Sequence, residues 1–157
     1  MRHSKVWYSE RVQRHVRLTR WGHYGMPVLL FPTAGGDAGE AERMQLIGAL
    51  WELIESGRIK VYSCDSVWGE ALLSRQHSPL HYLPDLDDGW QLDTLRQRMV
   101  LMAMGEGQWE NPSHTWNMAR VLGDKGIPNR VDSWGPTWPH DWPTWRQMLP
   151  GYLTEFV

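Results

Sequence analysis

The 157-residue chain has only one cysteine, Cys64. A single cysteine excludes an intramolecular disulfide framework and is typical of a protein from a reducing compartment. No segment approaches the roughly 20 apolar residues that a transmembrane helix needs, and residues 1–7 lack the apolar run of a signal peptide. From these absences we predict a soluble, cytoplasmic protein with no membrane partner.

An excess of charge of one sign is also lacking. Sixteen Lys and Arg residues stand against eighteen Asp and Glu residues, for a net charge of −2. Such a balance offers no electrostatic attraction for nucleic acid, so we predict no nucleic-acid partner. The length is sufficient for one domain with its own core, and we predict a single domain over residues 1–157.

Tryptophan, by contrast, is abundant, with eleven residues in the chain. Six of them lie in the last third, at positions 109, 116, 134, 138, 142 and 145. They are interpreted either as aromatic packing in the core and loops or as an aromatic wall for an apolar acyl or aryl group.

Apolar patterns predict alternating strands and helices. Short apolar runs typical of buried strands lie at 28–31 and 99–104, and alternation predicts a strand over 12–21. Further strands are predicted over 59–64 and 130–134. Helical spacing predicts helices over 40–56, 113–126 and 142–156, the first of them ended by Gly57. A strand, a Gly-rich loop, a helix and a second strand in this order favour parallel pairing of strands 28–31 and 59–64.

Two blocks of sequence resemble a known family. The first contains Pro27–Gly36 and Ile59–Ser66, and the second contains Val100–Gly107 and Trp134–Trp145. They resemble the feruloyl, antigen-85-like and S-formylglutathione esterases, which have the α/β-hydrolase fold. The resemblance covers nearly the whole chain and implies a three-layer αβα sandwich with a mainly parallel sheet, in a reduced form.

The reduction concerns the segment between the two blocks. In the family this long segment carries the nucleophile strand and its Gly-x-Ser-x-Gly turn, whereas here residues 77–81 join the blocks directly. The family's serine therefore has no matching position in this chain. Loss of central strands should either pair the strand at 28–31 with that at 100–104 or leave both as edges. Open apolar edges recruit partners, so we predict a homodimer.

The resemblance places the catalytic base at His140, after the last strand. The spacing from the strand end puts His140 in a loop over the carboxyl edge of the sheet, where α/β proteins carry their sites. The alternative interpretation is that His140 caps the terminal helix. Glu110 and Glu106 follow the strand that supplies the acid, which orients the imidazole, and Glu110 is favoured. Either glutamate could instead be a solvated carboxylate at a helix start.

A nucleophile needs a hydroxyl or thiol within hydrogen-bond reach of the base. Ser66 is the first candidate because it follows the strand that ends at Cys64, and Ser78 is the second. Thr33 and Cys64 are further candidates, and each of the four can also be read as a structural residue. The resemblance assigns an oxyanion loop to Thr33, Ala34, Gly35 and Gly36, whose backbone N–H groups can approach a developing oxyanion. The alternative is that these residues form a plain turn between a strand and a helix. Trp68 is a candidate substrate contact.

His77 and His81 have the spacing of helical metal ligands, but Pro79 and Pro84 argue against a helix that presents both. We therefore predict no metal and no cofactor. The favoured function is a minimal hydrolase of small accessible carboxylic esters, which would act through a relocated nucleophile and His140. The alternative is a catalytically inactive remnant of the fold that serves as a binding or interaction module.

Overall fold

The computed structural model describes residues 1–33, 35–66, 79–87 and 89–157. Within these residues the strands are β1 Arg2–Ser9, β2 Arg14–Trp21, β3 Met26–Leu30, β4 Ile59–Cys64, β5 Val100–Met104 and β6 Asn129–Ser133. The helices are α1 Glu40–Arg43, α2 Leu46–Ala49, α3 Trp51–Glu55, α4 Pro79–Tyr82, α5 Trp90–Arg96, α6 Pro112–Asp124 and α7 Trp142–Phe156. The chain divides into two compact units, one of Met1–Trp68 with Trp145–Val157 and one of Gly69–Thr144.

The first unit contains a four-stranded sheet in the order β1-β2-β4-β3. The β3–β4 pair is parallel, as predicted. The other two pairs of this sheet, β1–β2 and β2–β4, are antiparallel. The prediction of a mainly parallel sheet is therefore wrong here. Residues 10–13 alone link β1 to β2, and so short a link joins antiparallel neighbours, since a parallel pair needs a crossover of about a dozen residues or more.

Strand β1 was not predicted, because its side chains do not alternate between buried and exposed. Nearly all of them are exposed, so the strand has no apolar period that a sequence pattern could reveal. The strand is defined instead by its register with β2, which runs from Arg2 opposite Trp21 to Ser9 opposite Arg14.

One face of this sheet supplies much of the unit's core. Ile59 and Val61 of β4 are fully buried, and Trp21 lies opposite Val61 with only 2% of its surface exposed. Leu50 and Ile54 are also buried. The chain is thus an α/β protein with mixed strand pairing.

The helix predicted over residues 40–56 is broken into α1, α2 and α3. Gln45 separates the first two with φ of 60° and ψ of 14°, a left-handed conformation that cannot continue a right-handed helix. Glutamine is a good helix former, so the residue type does not predict the break in the helix. Gly57 ends the last of these helices at φ of 72°, which confirms the predicted glycine end.

The second unit contains the parallel pair β5–β6, in which Val100 lies opposite Asn129. Helix α6 connects these strands in sequence. Each of its ends lies within two residues of the predicted bounds, 113–126. A cluster of buried apolar side chains forms the core of this unit: Leu83, Leu92, Val121, Leu122 and Ile127.

Strands β3 and β5 belong to different sheets among the described strands, and β3 is the end strand of its sheet. This outcome matches the expectation that both strands remain edges, rather than the expectation that they pair. The single domain over residues 1–157 and the three-layer arrangement stay predictions. None of the helices in the described parts of the chain is long and apolar enough to cross a membrane.

Candidate active site

His140 and Glu110 form an acid–base pair in the second unit. The imidazole Nδ1 lies 3.1 Å from both carboxylate oxygens of Glu110. A carboxylate accepts a hydrogen bond from the Nδ1–H of an imidazole. In the neutral imidazole this leaves Nε2 as the acceptor, which is the form that a general base requires. The Glu110 side chain is 13% exposed and that of His140 is 53% exposed. The acid is therefore shielded, while the imidazole is accessible to solvent.

Two segments that follow neighbouring parallel strands build this pair. Residues 105–110 follow β5 and residues 134–140 follow β6, and the two run side by side. The backbone N–H groups of one segment donate to carbonyl oxygens of the other at 2.9 to 3.0 Å: Glu106 to Gly135, Gly107 to Trp138, and His140 to Gln108. The bond from His140 N to Gln108 O fixes the backbone of the histidine next to the loop that carries its acid.

Glycines allow this close approach. A Cβ atom on Gly105 would overlap the carbonyl oxygen of Trp138 and lie 2.7 Å from its carbonyl carbon. A Cβ atom on Gly107 would lie 2.8 Å from the Pro136 oxygen and 2.9 Å from the Pro139 nitrogen. These atoms belong to backbone, which cannot swing away as a flexible side chain can. The pattern Gly-x-Gly after β5 is thus a requirement of the His140–Glu110 geometry.

Trp109 occupies the tip of the acid-bearing loop. Its φ of 64° places a bulky residue in the left-handed region, and its side chain is 72% exposed. Both flanking residues are bonded to His140, through the oxygen of Gln108 and the carboxylate of Glu110. Strain of this kind is held by the surrounding structure and is often found at functional sites. The sequence offered no signal for it.

The second candidate acid, Glu106, has a different partner. Its Oε1 accepts a hydrogen bond of 2.6 Å from the Ser133 hydroxyl at the end of β6. The structure therefore brings Glu110, and not Glu106, to the imidazole of His140. Sequence spacing alone had left both glutamates as candidates for the acid that orients His140.

Asp141 holds the start of the terminal helix beside the histidine. Its Oδ1 accepts from Trp142 N at 2.7 Å, and its carbonyl oxygen accepts from Thr144 N at 3.1 Å. An aspartate in this position stabilises the first turn of a helix. Asp141 thus bonds the first turn of the terminal helix, and the alternative that His140 caps this helix stays a prediction.

The predicted oxyanion loop lies in the first unit, and the donors of Thr33 and Gly36 are engaged. Thr33 donates to the Glu40 carboxylate through both its backbone N and its hydroxyl, each at 2.7 Å. The N–H of Gly36 donates to Thr33 O at 2.9 Å. Gly35, at φ of 79°, makes the turn that a glycine favours, and Ala34 lies outside the described residues. An intramolecular carboxylate therefore occupies donors that an oxyanion would need.

A second carboxylate borders the same loop. The Arg43 guanidinium, together with the N–H of Gly39, holds the pKa of the Asp37 carboxyl below its ordinary value. Asp37 is consequently ionised at neutral pH. The Asp37 charge is paired with the Arg43 guanidinium at 2.8 Å, so Glu40 is the carboxylate that competes directly with an oxyanion for the Thr33 donors.

Ser66 lies against this loop. Its backbone N–H donates to Gly36 O at 3.0 Å, and the side chain is half-buried. The preceding residue, Asp65, accepts hydrogen bonds from Arg17 N at 2.8 Å and from Ala38 N at 2.9 Å. Asp65 therefore ties the end of β4 both to β2 and to the loop, which is a positioning role that sequence analysis missed.

The remaining candidate site residues are Cys64, Ser78, Trp68 and His77. Burial raises the pKa of the Cys64 thiol, which lowers the thiolate fraction at neutral pH and weakens it as a nucleophile. Ser78, Trp68 and His77 lie outside the described residues. The geometry thus groups Thr33, Gly36 and Ser66 in one unit and Glu110 with His140 in the other.

Comparison with solved structures identifies the fold of this chain. Over its full length the chain is structurally similar to serine esterases and hydrolases of the α/β-hydrolase fold. A ferulic acid esterase aligns with a TM-score of 0.65 and 10% identity, over 100% of this chain and 99% of its own. The apo S-formylglutathione hydrolase FrmB of Staphylococcus aureus aligns with a TM-score of 0.63 and 13% identity, over 99% of this chain and 95% of its own.

A third similar structure is FphF, a fluorophosphonate-binding serine hydrolase of Staphylococcus aureus solved with substrate bound. It aligns with a TM-score of 0.64 and 11% identity, over 99% of this chain and 97% of its own. No protein-family model and no curated protein sequence matches the chain. At these identities the similarity establishes the fold, as the sequence blocks had predicted.

Proposed function

We propose that this protein hydrolyses small, accessible carboxylic esters. The observation that carries the proposal is the His140–Glu110 pair, in which a shielded carboxylate orients an accessible imidazole at 3.1 Å. Its setting in a fold shared with esterases supports it. Release of p-nitrophenol from p-nitrophenyl acetate by the purified full chain tests the activity, and the His140→Ala variant tests its origin.

In the proposed reaction a hydroxyl oxygen attacks the ester carbonyl carbon while its proton passes to His140 Nε2. Collapse of the tetrahedral intermediate breaks the bond to the alkoxide, which leaves as the alcohol with that proton. Water then attacks the acyl-enzyme through the same base and releases the acid. Glu110 stabilises the imidazolium that forms in both halves of the reaction.

Ser66 is the proposed nucleophile, since it follows a strand and contacts the loop assigned to oxyanion binding. We expect a serine-directed phosphonate to label the wild-type protein and to leave the Ser66→Ala variant unlabelled. Intact-mass measurement reports the adduct, and peptide mass spectrometry locates it.

Ser56→Ala provides a control, because Ser56 follows α3 and its hydroxyl donates to the backbone oxygen of Leu53 at 3.2 Å. This variant should label like the wild type. An adduct on Ser78, Thr33 or another residue would reassign the nucleophile and leave the esterase proposal in place.

A non-catalytic remnant is the second candidate, and one observation favours it. The Glu40 carboxylate holds the donors of Thr33, so an oxyanion could bind there only after Glu40 moves. Under this alternative the protein binds a ligand or partner without turnover. Ester hydrolysis that requires His140 separates the two candidates.

We further propose a homodimer that forms through β3. The edge is apolar and exposed, since Leu29 is 51% exposed and Phe31, just after the strand, is 76% exposed. An open strand edge of this kind pairs with another chain, and a two-fold dimer is the commonest closed form. Such an interface should bury at least about 1,000 Å² in total.

Sedimentation equilibrium at low micromolar concentration should therefore give the dimer mass for the wild type. Leu29→Lys should shift the protein to monomer, because a charge on the apolar edge opposes pairing. Val6→Lys is the matched control, since Val6 is also 51% exposed and lies on β1 at the opposite end of the sheet. A monomeric wild type with full ester activity would overturn the dimer and leave the esterase proposal intact.

A further inference from the structure

A groove in the first unit has none of the residues discussed so far as catalytic among its described lining residues. It runs between the short helices α1–α3 and the terminal helix α7, and its volume is about 670 Å³. This volume is in the range of small-molecule sites, which bury most of a ligand among apolar walls and a few polar groups. Gln45, Gly48, Trp51 and Arg146 are among its lining residues.

The floor and one wall of the groove are apolar. Trp21 is 2% exposed and Ile47 is 4% exposed, so both present packed surface, while Trp51 is 42% exposed and offers part of its indole to a ligand. The Trp21 Nε1 already donates to Glu42 Oε1 at 3.1 Å. The Trp21 ring therefore leaves no polar group that a ligand would have to satisfy.

Arg146 supplies a cation that has only neutral partners among the described residues. Its Nη1 donates to Gln45 Oε1 at 3.2 Å and weakly to Met44 O at 3.4 Å. The carboxylate that also lines the groove, Glu42, is engaged by Arg2 Nε at 3.2 Å as well as by Trp21. A carboxylate would bind the Arg146 guanidinium more strongly than these neutral oxygens do, because hydrogen bonds between charged groups are the stronger ones.

Two backbone features lie at the groove. Gln45 is in the left-handed region at φ of 60°, which costs on the order of 1 kcal/mol or more for a residue with a side chain. This conformation breaks the helix where the groove lies and aims the Gln45 amide at Arg146. Gly48 has no side chain, and a Cβ atom there would meet nothing within 4 Å.

We infer that this groove binds an organic monocarboxylate with an aromatic or alkyl body. The carboxylate replaces the neutral oxygens at Arg146, and the body lies against Trp51 over the floor of Trp21 and Ile47. This site is independent of the proposed ester hydrolysis, since it uses none of the residues assigned to that reaction.

Titration of the full chain with 3-phenylpropanoate, followed by isothermal calorimetry, tests the inference. Saturable binding with Kd below about 5 mM is expected for an 11-heavy-atom ligand, and 3-phenylpropan-1-ol, which lacks the charge, should bind at least tenfold more weakly. Arg146→Gln should abolish this preference for the acid. Equal binding of acid and alcohol, or no saturable binding of the acid, would overturn the inference.

Gly48→Leu tests the location. The new side chain enters open space, so the variant should fold, fill the groove and abolish binding. Gly151→Leu is the matched control, because Gly151 lies in α7, also meets nothing within 4 Å and is not among the groove residues. Trp51→Ala, at a half-exposed position, gives a second variant that should weaken binding several-fold. Unchanged affinity in Gly48→Leu and Trp51→Ala would show that the ligand binds elsewhere.

Discussion

Replacing His140 with alanine should lower kcat for p-nitrophenyl acetate by about 10³-fold or more. The variant loses the base that takes the proton from the attacking hydroxyl, and it leaves the Glu110 carboxylate without the imidazole that it orients. Initial rates of p-nitrophenol release give kcat, and circular dichroism verifies that the variant remains folded.

His114→Ala is the matched control, because His114 is an exposed histidine of the same unit whose Nε2 lies 3.2 Å from the Asn111 side-chain amide. Its kcat should stay within about twofold of the wild type, as for surface substitutions generally. Glu110→Gln should lose about 10²-fold or more, since the amide no longer stabilises the imidazolium. Full activity in a folded His140→Ala variant would remove the acid–base pair from the mechanism.

Gly105→Ala is expected to have the largest effect on stability. Its methyl group would overlap the Trp138 carbonyl oxygen, so the segments after β5 and β6 would have to separate and lose their shared hydrogen bonds. The free energy of unfolding should fall by at least about 3 kcal/mol, which lowers Tm by roughly 10 °C for a chain of this size. Ester hydrolysis should fall with it, because the separation moves His140 away from Glu110.

Gly123→Ala is the control for that substitution in the same unit. Gly123 lies in α6, and a Cβ atom there meets nothing within 4 Å. Alanine favours a helix, so this variant should be more stable by up to about 1 kcal/mol. Thermal unfolding followed by circular dichroism measures both variants. An unchanged Tm in Gly105→Ala would mean that the two segments are not held as closely as their hydrogen bonds imply.

Periodic elements were predicted well from the sequence because their burial imposes a pattern on nearby residues. Strand β4 was predicted at residues 59–64 and found as Ile59–Cys64, and the terminal helix was found at its predicted bounds. The same reasoning failed at β1, whose exposed residues have no apolar period. It failed again at Gln45, where a single left-handed residue divides a segment of otherwise good helix formers.

For the site, the sequence by itself placed a histidine and two glutamates after predicted strands, and the resemblance assigned them to one site. This is possible because the carboxyl ends of parallel strands meet at one edge of a sheet. Only the tertiary structure decided that Glu110 faces His140 while Glu106 bonds Ser133. That choice depends on hydrogen bonds between segments about thirty residues apart in the chain, and no local pattern encodes them. The same holds for Glu40, whose bonds to Thr33 depend on how the loop folds back on α1.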